Sequence, residues 1–296
     1  MRLNVKSFLP DGITFQNKEK EMSDQKPARK DAENWKKIIA DNLDKVRTQH
    51  PLVHNITNFV VMNSSANILL AQGAMPVMAH AINEVEHMVP LANALVLNIG
   101  TLTDEWVESM IKAGRMANEK SIPVVLDPVG AGATPLRTEK AKEILREVQI
   151  TVLRGNASEI NALAVSGGKT RGVDSIHKAN EVIDGALSLI EKHKSVIGIS
   201  GETDIILDGN EIIKIDNGSP LMQKVTGTGC GLSATVGAFL GVEKNTLIAT
   251  ASAFGFYNIA GETAEKFSKG PGSFSVAFVD ALAQVSDKDL ENLKIN

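Results

Sequence analysis

Short apolar runs alternate with longer helical patterns along most of the chain. Four of these runs, at residues 94–99, 123–128, 150–155 and 195–200, are mainly apolar and reach polar or glycine residues at their ends. Continuous apolar runs of this length are typical of buried parallel strands, because helices cover both faces of a parallel sheet. The pattern therefore predicts a series of strand–helix–strand units and an α/β fold.

A hairpin is predicted after the fourth run. Residues 205–207 are apolar and residues 211–215 are rich in isoleucine, and the two segments flank Asp208-Gly209-Asn210, which is the composition of a tight turn. We therefore expect an antiparallel edge beside the parallel strands. An amphipathic helix is predicted from Trp35 onward, and the pattern beyond residue 230 is mostly helical.

The first 33 residues differ from the rest of the chain. Residues 1–33 carry many charges, two prolines and no sustained apolar period, so they are predicted to form a flexible N-terminal leader. Residues 34–296 contain no recognisable linker and are predicted to form one domain.

The composition narrows the classes of function. With 43% hydrophobic and 22% charged residues, the chain is typical of a globular protein. The net charge is -4 and only 4% of residues are aromatic, so nucleic acid is not an expected partner. No apolar run is long enough for a membrane span, and no secretory signal is recognisable. A single cysteine cannot form an intrachain disulfide, and we expect a cytoplasmic protein.

A glycine-rich turn at residues 225–233 is the most informative segment. Gly227, Gly229 and Gly231 surround Cys230, the only cysteine, and an apolar segment with helical character follows. Glycines at a helix start let the backbone N–H groups converge on an anion. The helix terminus is expected to favour the thiolate form of Cys230. The alternative is a helix start that is glycine-rich only because it packs tightly.

Polar residues also follow the predicted strands, where α/β proteins bind their ligands. Asp127 follows the second strand, Arg154 and Glu159 follow the third, and Ser200 ends the fourth. Two carboxylates near an anion-binding turn are suited to Mg²⁺ and phosphoryl transfer, and an arginine can neutralise the developing charge. Either carboxylate could instead be a helix cap or turn residue.

Two segments before the first of these runs are rich in side chains that could bind a small molecule. Residues 54–58 carry several hydrogen-bonding groups, more than a core strand would tolerate without partners, and this segment could line a pocket. Met78 would suit an apolar ring through sulfur–aromatic contact. The alternative is that Met78 fills core space and His54 is a structural residue.

Two sequences that resemble nucleotide-binding motifs are incomplete. Gly168-Lys169-Thr170 lacks the earlier glycine of a P-loop, because Leu163 occupies that position. The glycines at 227–231 do not have the spacing of a dinucleotide fingerprint.

Five segments together resemble the hydroxyethylthiazole kinases, over about residues 34–285. They are VHNITN at 53–58, PVMA at 76–79, DPVGA at 127–131, RGNASE at 154–159 and GTGC at 227–230. The resemblance implies a ribokinase-like three-layer fold, with a mainly parallel sheet, helices on both faces, an antiparallel edge hairpin and no separate lid domain. It also implies ATP-dependent phosphorylation of 4-methyl-5-(2-hydroxyethyl)thiazole in thiamine salvage, with Mg²⁺ as cofactor.

The same resemblance implies roles for individual residues. Met78, Gly227 and Asn55 would bind the thiazole substrate, and Arg154 and Ser200 would bind ATP. The metal and phosphates would be organised by Asp127 and Glu159, and Cys230 would be the catalytic residue. Relatives in the wider fold carry aspartate where this chain has Cys230. A homotrimer with active sites at subunit interfaces is also implied.

Three alternatives remain open at this level. The chain could phosphorylate another heterocyclic alcohol, such as hydroxymethylpyrimidine or pyridoxal, or it could be an ATP-dependent NAD(P)H-hydrate dehydratase. Both would be expected to carry aspartate in the glycine turn. A catalytically silent ATP-binding protein would be expected to have lost Asp127, Glu159 or the turn, and all three are present.

Overall fold

The computed structural model describes residues 29–164 and 175–296, which form one mixed sheet with helices on both faces. The strands are β1 Leu52–Ile56, β2 Met75–Val77, β3 Ala94–Asn98, β4 Val124–Asp127, β5 Val152–Asn156, β6 Val196–Ser200, β7 Asp204–Leu207 and β8 Ile212–Ile215. Their order across the sheet is β2-β1-β3-β4-β5-β6-β7-β8. The six strands from β2 to β6 are mutually parallel, and β7 and β8 run antiparallel at one edge. The predicted α/β fold and edge hairpin are confirmed.

The described helices are numbered in chain order. They are α1 Arg29–Gln49, α2 Met62–Ala71, α3 Val85–Met88, α4 Asp104–Glu119, α5 Pro135–Glu147, α6 Ala157–Ala164, α7 Ser175–His193, α8 Thr228–Leu240, α9 Thr246–Lys266, α10 Pro271–Gln284 and α11 Asp287–Leu290. Short 3₁₀ turns occupy Val89–Leu91 and Pro220–Lys224. No helix within the described ranges has the length and apolar character needed to cross a membrane.

The core forms two apolar layers, one on each face of the sheet. Val96, Val125 and Val152 pack into the layer under α1, α8, α9 and α10, whereas their sequence neighbours Leu97, Leu126 and Leu153 pack into the layer under α4, α5 and α7. Successive side chains of a strand point to opposite faces, and both faces are covered, so both sets of neighbours are buried. This explains why the central strands read as continuous apolar runs.

Strands β1 and β2 lie in or beside the two segments that were expected to bind a small molecule. β1 pairs with β3 on one side and with the short strand β2 on the other. His54 and Asn55 of β1 are buried, and each side chain makes a hydrogen bond, although the Nδ1 of His54 has no partner among the described residues. The Nε2 of His54 lies 2.6 Å from the carbonyl oxygen of Ala79, and the Nδ2 of Asn55 donates to the carbonyl oxygen of Val53 at 2.9 Å. The polar groups of β1 are thus mostly paired within the fold, and the interpretation of this segment as the lining of a pocket stays a prediction.

Most of the predicted leader lies outside the described residues. Helix α1 begins at Arg29, before the predicted start at Trp35 and inside the last five residues of the segment 1–33. The division into a leader and one domain stays a prediction. The incomplete P-loop sequence at 168–170 also lies outside the described residues.

Candidate active site

The carboxyl ends of four neighbouring strands bring polar side chains together. Asn98 ends β3 and is in register with Asp127 at the end of β4. Asn156 ends β5 and is in register with Ser200 at the end of β6. Because parallel strands end at one edge of the sheet, these four residues form the floor of a candidate site.

The glycine-rich turn lies over this floor and begins α8. Gly227 is the residue before the helix, with φ of +88°, a left-handed conformation that favours glycine. A Cβ at Gly227 would lie 3.0 Å from Cγ1 of Val61, so the turn is also packed closely against the chain before α2. The first backbone N–H groups of a helix have no partner within the helix and carry its positive end. The predicted helix start is confirmed. The turn is therefore closely packed and also presents the backbone N–H groups of a helix N-terminus.

Cys230 is the third residue of α8, and burial determines its ionisation. Burial, followed by the charge of Asp127, raises the pKa of the Cys230 thiol to about 11. The helix end was expected to favour the thiolate, but loss of solvent outweighs it and the thiol form prevails. The Nδ2 of Asn58 lies 3.6 Å from the sulfur and holds it in place.

Asp127 is the centre of a buried hydrogen-bond network. Its Oδ2 accepts from the Nδ2 of Asn98 at 2.9 Å and from the Oγ of Ser233 at 2.7 Å. The Oδ1 of Asn98 in turn accepts from the Nδ2 of Asn58 at 2.8 Å, so a chain of amides joins Asp127 to the residue beside Cys230. Burial raises the pKa of Asp127 to about 6, although the charge of Arg154 opposes the shift.

Arg154 connects the turn, the floor and the end of β6. Its Nη1 donates to the carbonyl oxygen of Gly229 at 2.9 Å and lies 3.8 Å from the Oδ2 of Asp127, and its Nη2 donates to the Oγ of Ser200 at 2.6 Å. The guanidinium is buried, and its Nε has no hydrogen-bond partner among the described residues. A buried cation with an unused donor fits a site for an anion.

Glu159 is a helix-capping residue. Its Oε2 accepts from the N–H of Asn156 at 2.8 Å, and the Oδ1 of Asn156 accepts from the N–H of Glu159 at 3.0 Å. This reciprocal pair is a capping box at the start of α6. The Oε1 of Glu159 also accepts from the N–H of Gly130 at 2.8 Å, which ties the loop after β4 to α6.

The carboxylates fit a magnesium ion that is bound mainly by phosphate. Within the described ranges, no group of three or more His, Cys, Asp or Glu residues could hold a metal by itself. Asp127 and Glu159 are close enough for the charge of Glu159 to raise the pKa of Asp127, and the described hydrogen bonds of Asp127 all use Oδ2. Mg²⁺ commonly takes one or two carboxylates and completes its shell with water and substrate phosphates. This pair matches that requirement.

The two predicted thiazole-binding side chains lie on the β1 and β2 side of the site. Met78 follows β2 and is half-buried, whereas Asn55 is buried within β1. No side-chain hydrogen bond among the described residues joins either one to Asp127 or Arg154. Their roles stay predictions, as do the ligand roles of Gly227, Arg154 and Ser200.

Sequence reasoning missed three polar residues that support the site. Ser233 lies three residues after Cys230, so one helical turn brings both to the same side of α8. Asn58 lies in the polar segment 54–58, and Asn98 is one of the polar residues at the ends of the predicted strands. Their positions at or just after strands indicate that both could lie near the site. Their hydrogen bond to each other depends on the register of β1 and β3.

Comparison with known proteins places the chain in a family. The model of the hydroxyethylthiazole kinase family matches residues 43–288. A hydroxyethylthiazole kinase of Desulfotalea psychrophila is 50% identical over 252 residues, 85% of this chain and 92% of the relative. One of Thermoanaerobacter pseudethanolicus is 53% identical over 251 residues, 84% of this chain and 95% of the relative.

Solved structures agree. The hydroxyethylthiazole kinase protein of Pyrococcus horikoshii OT3 superposes with a TM-score of 0.81 at 43% identity, covering 88% of this chain and 98% of that one. A Staphylococcus aureus pyridoxal kinase in complex with AMP-PCP and pyridoxal gives a TM-score of 0.54 at 16% identity, covering 72% and 88%, which supports the fold alone. The family match and the identity to its members over most of the chain establish that this chain belongs to the hydroxyethylthiazole kinase family.

Proposed function

We propose that this protein transfers the γ-phosphoryl group of ATP to the hydroxyl of 4-methyl-5-(2-hydroxyethyl)thiazole, with Mg²⁺ as cofactor, in thiamine salvage. Membership of the family makes the chain a kinase, that is, a phosphotransferase. The observation that carries the proposal is the juxtaposition of Asp127 and Arg154 with Cys230 in the first turn of α8.

The chemistry needs one bond to form and one to break. The substrate hydroxyl attacks the γ-phosphorus, the bond to the bridging oxygen breaks, and ADP leaves. Mg²⁺, when bound through Asp127 and Glu159, neutralises phosphate charge. Phosphoryl transfer has a loose transition state, so the hydroxyl keeps its proton until late and positioning dominates the rate.

Each residue then has a task that its surroundings support. The N–H groups at the start of α8 hold phosphoryl oxygens, since they carry the positive helix end. Arg154 and Ser200 bind ATP phosphates, and the unused Nε of Arg154 supports this role. Cys230 contacts the substrate hydroxyl, with Met78, Gly227 and Asn55 around the thiazole ring.

We also propose that the enzyme is cytoplasmic and forms a homotrimer with active sites at the subunit interfaces. This rests on the resemblance to the family, and sedimentation analysis of the purified protein measures the subunit number. A monomer with full activity would contradict it.

A panel of heterocyclic alcohols tests the proposed reaction. Purified protein is incubated with Mg²⁺, ATP and hydroxyethylthiazole, hydroxymethylpyrimidine or pyridoxal, and phosphorylated product and ADP are measured by mass spectrometry. We expect hydroxyethylthiazole to be the preferred substrate, and faster turnover of a pyrimidine or pyridine alcohol would contradict the proposal.

Glu159→Gln tests the role of the second carboxylate in the same assay. The amide keeps the size of the side chain and can still accept one backbone N–H, but it loses the charge. We expect turnover to fall about a hundredfold, the range for losing one preorganised electrostatic group. A loss below about fivefold would show that Glu159 is only a helix cap.

A further inference from the structure

Arg137 contacts two of the loops that follow the strand ends. It is the third residue of α5. Its Nη1 donates to the carbonyl oxygens of Val129 at 2.9 Å and Ile99 at 3.0 Å, and its Nη2 donates to the carbonyl oxygen of Gly100 at 2.7 Å. One guanidinium therefore joins the loop after β3 to the loop after β4.

These contacts determine the direction of two backbone N–H groups. In a trans peptide, the carbonyl of one residue and the N–H of the next point in opposite directions. The Ile99 carbonyl points to Arg137, and the N–H of Gly100 donates to the Oδ1 of Asn98 at 3.0 Å. The Val129 carbonyl also points to Arg137, and the N–H of Gly130 donates to the Oε1 of Glu159 at 2.8 Å.

Both N–H groups act on the carboxylates of the site. The N–H of Gly100 helps to orient the amide of Asn98, whose Nδ2 donates to Asp127. The N–H of Gly130 donates to Glu159 directly. We propose that Arg137 is a positioning residue for the kinase reaction, orienting Asp127 and Glu159 through the peptides that precede Gly100 and Gly130. The inference rests on the proposed roles of those two carboxylates.

The loop after β4 is shaped to receive this arginine. Gly130 has φ of +76°, and a Cβ there would lie 2.9 Å from Cδ of Arg137, so the arginine stem packs directly against the turn. A guanidinium can donate in several fixed directions, whereas lysine offers one nitrogen at the end of a flexible stem. Lysine has no second nitrogen for the Gly100 carbonyl and no fixed fork, so it is expected to orient the two loops less firmly.

Steady-state kinetics of three variants test the proposal. For Arg137→Met we expect kcat to fall about tenfold or more while KM for hydroxyethylthiazole stays within about threefold, because the groups that act on the phosphoryl step lose their orientation. For Arg137→Lys we expect an intermediate kcat, at least about threefold below wild type. Arg146→Met is the matched control, since Arg146 is an exposed arginine on the same helix, and it should behave as wild type.

Amide hydrogen exchange gives a readout that does not depend on activity. In Arg137→Met, peptides covering Gly100 and Gly130 should exchange at least about tenfold faster than in wild type, whereas peptides from β4 and the end of α5 should not change. The same peptides should be unchanged in Arg146→Met.

The outcomes separate this inference from the proposed function. A folded Arg137→Met with wild-type kcat would overturn it, and so would wild-type exchange at Gly100 and Gly130. If Arg137→Met does not fold, wild-type kcat together with wild-type exchange at Gly100 and Gly130 in Arg137→Lys would overturn it, because a flexible ammonium does not hold the Nη1 and Nη2 contacts in their fixed directions. Loss of activity in Glu159→Gln together with full activity in Arg137→Met would leave the carboxylate role intact and refute only the positioning role.

Discussion

Two opposing effects act on the pKa of the Cys230 thiol. The start of α8 favours negative charge, and burial beside Asp127 disfavours it. Burial prevails and the pKa of Cys230 rises to about 11, so the thiol is almost fully protonated at neutral pH. A preformed thiolate is therefore not the base in this site, which agrees with a transition state that needs little early proton removal.

The first prediction at the residue scale concerns substitutions of Cys230. Because a thiolate is not required, we expect Cys230→Ser to retain measurable kinase activity. We expect Cys230→Asp to remain active as well, since the carboxylate is an additional acceptor beside the hydroxyl, and Arg154 offsets part of the repulsion from Asp127. Steady-state rates from pH 6 to 9 check both. A covalent role for the sulfur predicts loss of all activity in both folded variants, which would refute this interpretation.

Ionisation of the buried Asp127 carboxyl lowers the stability of the folded protein. This gives a second prediction at the residue scale. Its pKa is about 6 in the folded protein, above the ordinary value of 3.8. The folded state therefore binds the Asp127 proton more tightly than the unfolded state does. The contribution of this group to stability is complete below about pH 4 and is lost as pH rises through about 6.

Asp127→Asn removes that titration and keeps an oxygen that can accept from Asn98 and Ser233. Without metal, the stability of the variant relative to wild type should improve by about 1 kcal/mol between pH 5 and pH 7.5. Urea unfolding at the two pH values, with EDTA present, measures the difference. A relative stability that is unchanged or moves in the opposite direction would show that Arg154 already compensates the buried charge. The same variant should lose most of its kinase activity.

At the scale of elements, α8 and α9 form the buried centre of one face. Gly231 of α8 is buried against two other helices, and a Cβ there would lie 2.4 Å from Cδ1 of Ile68 on α2 and 2.5 Å from the hydroxyl oxygen of Tyr257 on α9. Tyr257 also donates to the carbonyl oxygen of Thr228 at 2.8 Å, which fixes the first turn of α8. The position of the anion-binding turn therefore depends on packing between helices.

Gly231→Ala tests that dependence. Although alanine is the better helix former, the added methyl group must displace both neighbours, and we expect a loss of about 1–3 kcal/mol in the free energy of unfolding. Gly272→Ala on α10 is the matched control, because among the described residues no atom outside its chain neighbours and its own helix backbone lies within 4 Å of the added Cβ, and it should be neutral or slightly stabilising. Equal stability of both variants in urea unfolding would contradict the close packing of α8.

At the scale of the whole molecule, the described sheet and its two apolar layers all lie after the first 21 residues. The sheet, both apolar layers and the candidate site are built from residues 29–164 and 175–296. The segment 1–21 has no apolar period that could add to the core. We expect its deletion to leave melting temperature and turnover unchanged. A large fall in either, measured by calorimetry and the kinase assay, would mean that the segment docks on the domain.

Burial of the strands also explains which of them could be predicted from the sequence. The strands β3 to β6 were recognised because helices cover both of their faces, so their apolar runs are continuous. β1 was missed because His54 and Asn55 interrupt the run, and their partners were not visible in the sequence. One of those partners, the Ala79 carbonyl, lies 25 residues away. β2 spans three residues, too few for a pattern.

The sequence by itself determined the layered fold, the glycine-rich helix start and the presence of charged groups at the strand ends, since these depend on local patterns. Tertiary structure alone decided how those groups interact. The register of β3 and β4 sets Asn98 beside Asp127, burial makes Cys230 a thiol, and the capping box and Gly130 engage Glu159. Desolvation and hydrogen-bond direction depend on neighbours from distant parts of the chain, and no local pattern records them.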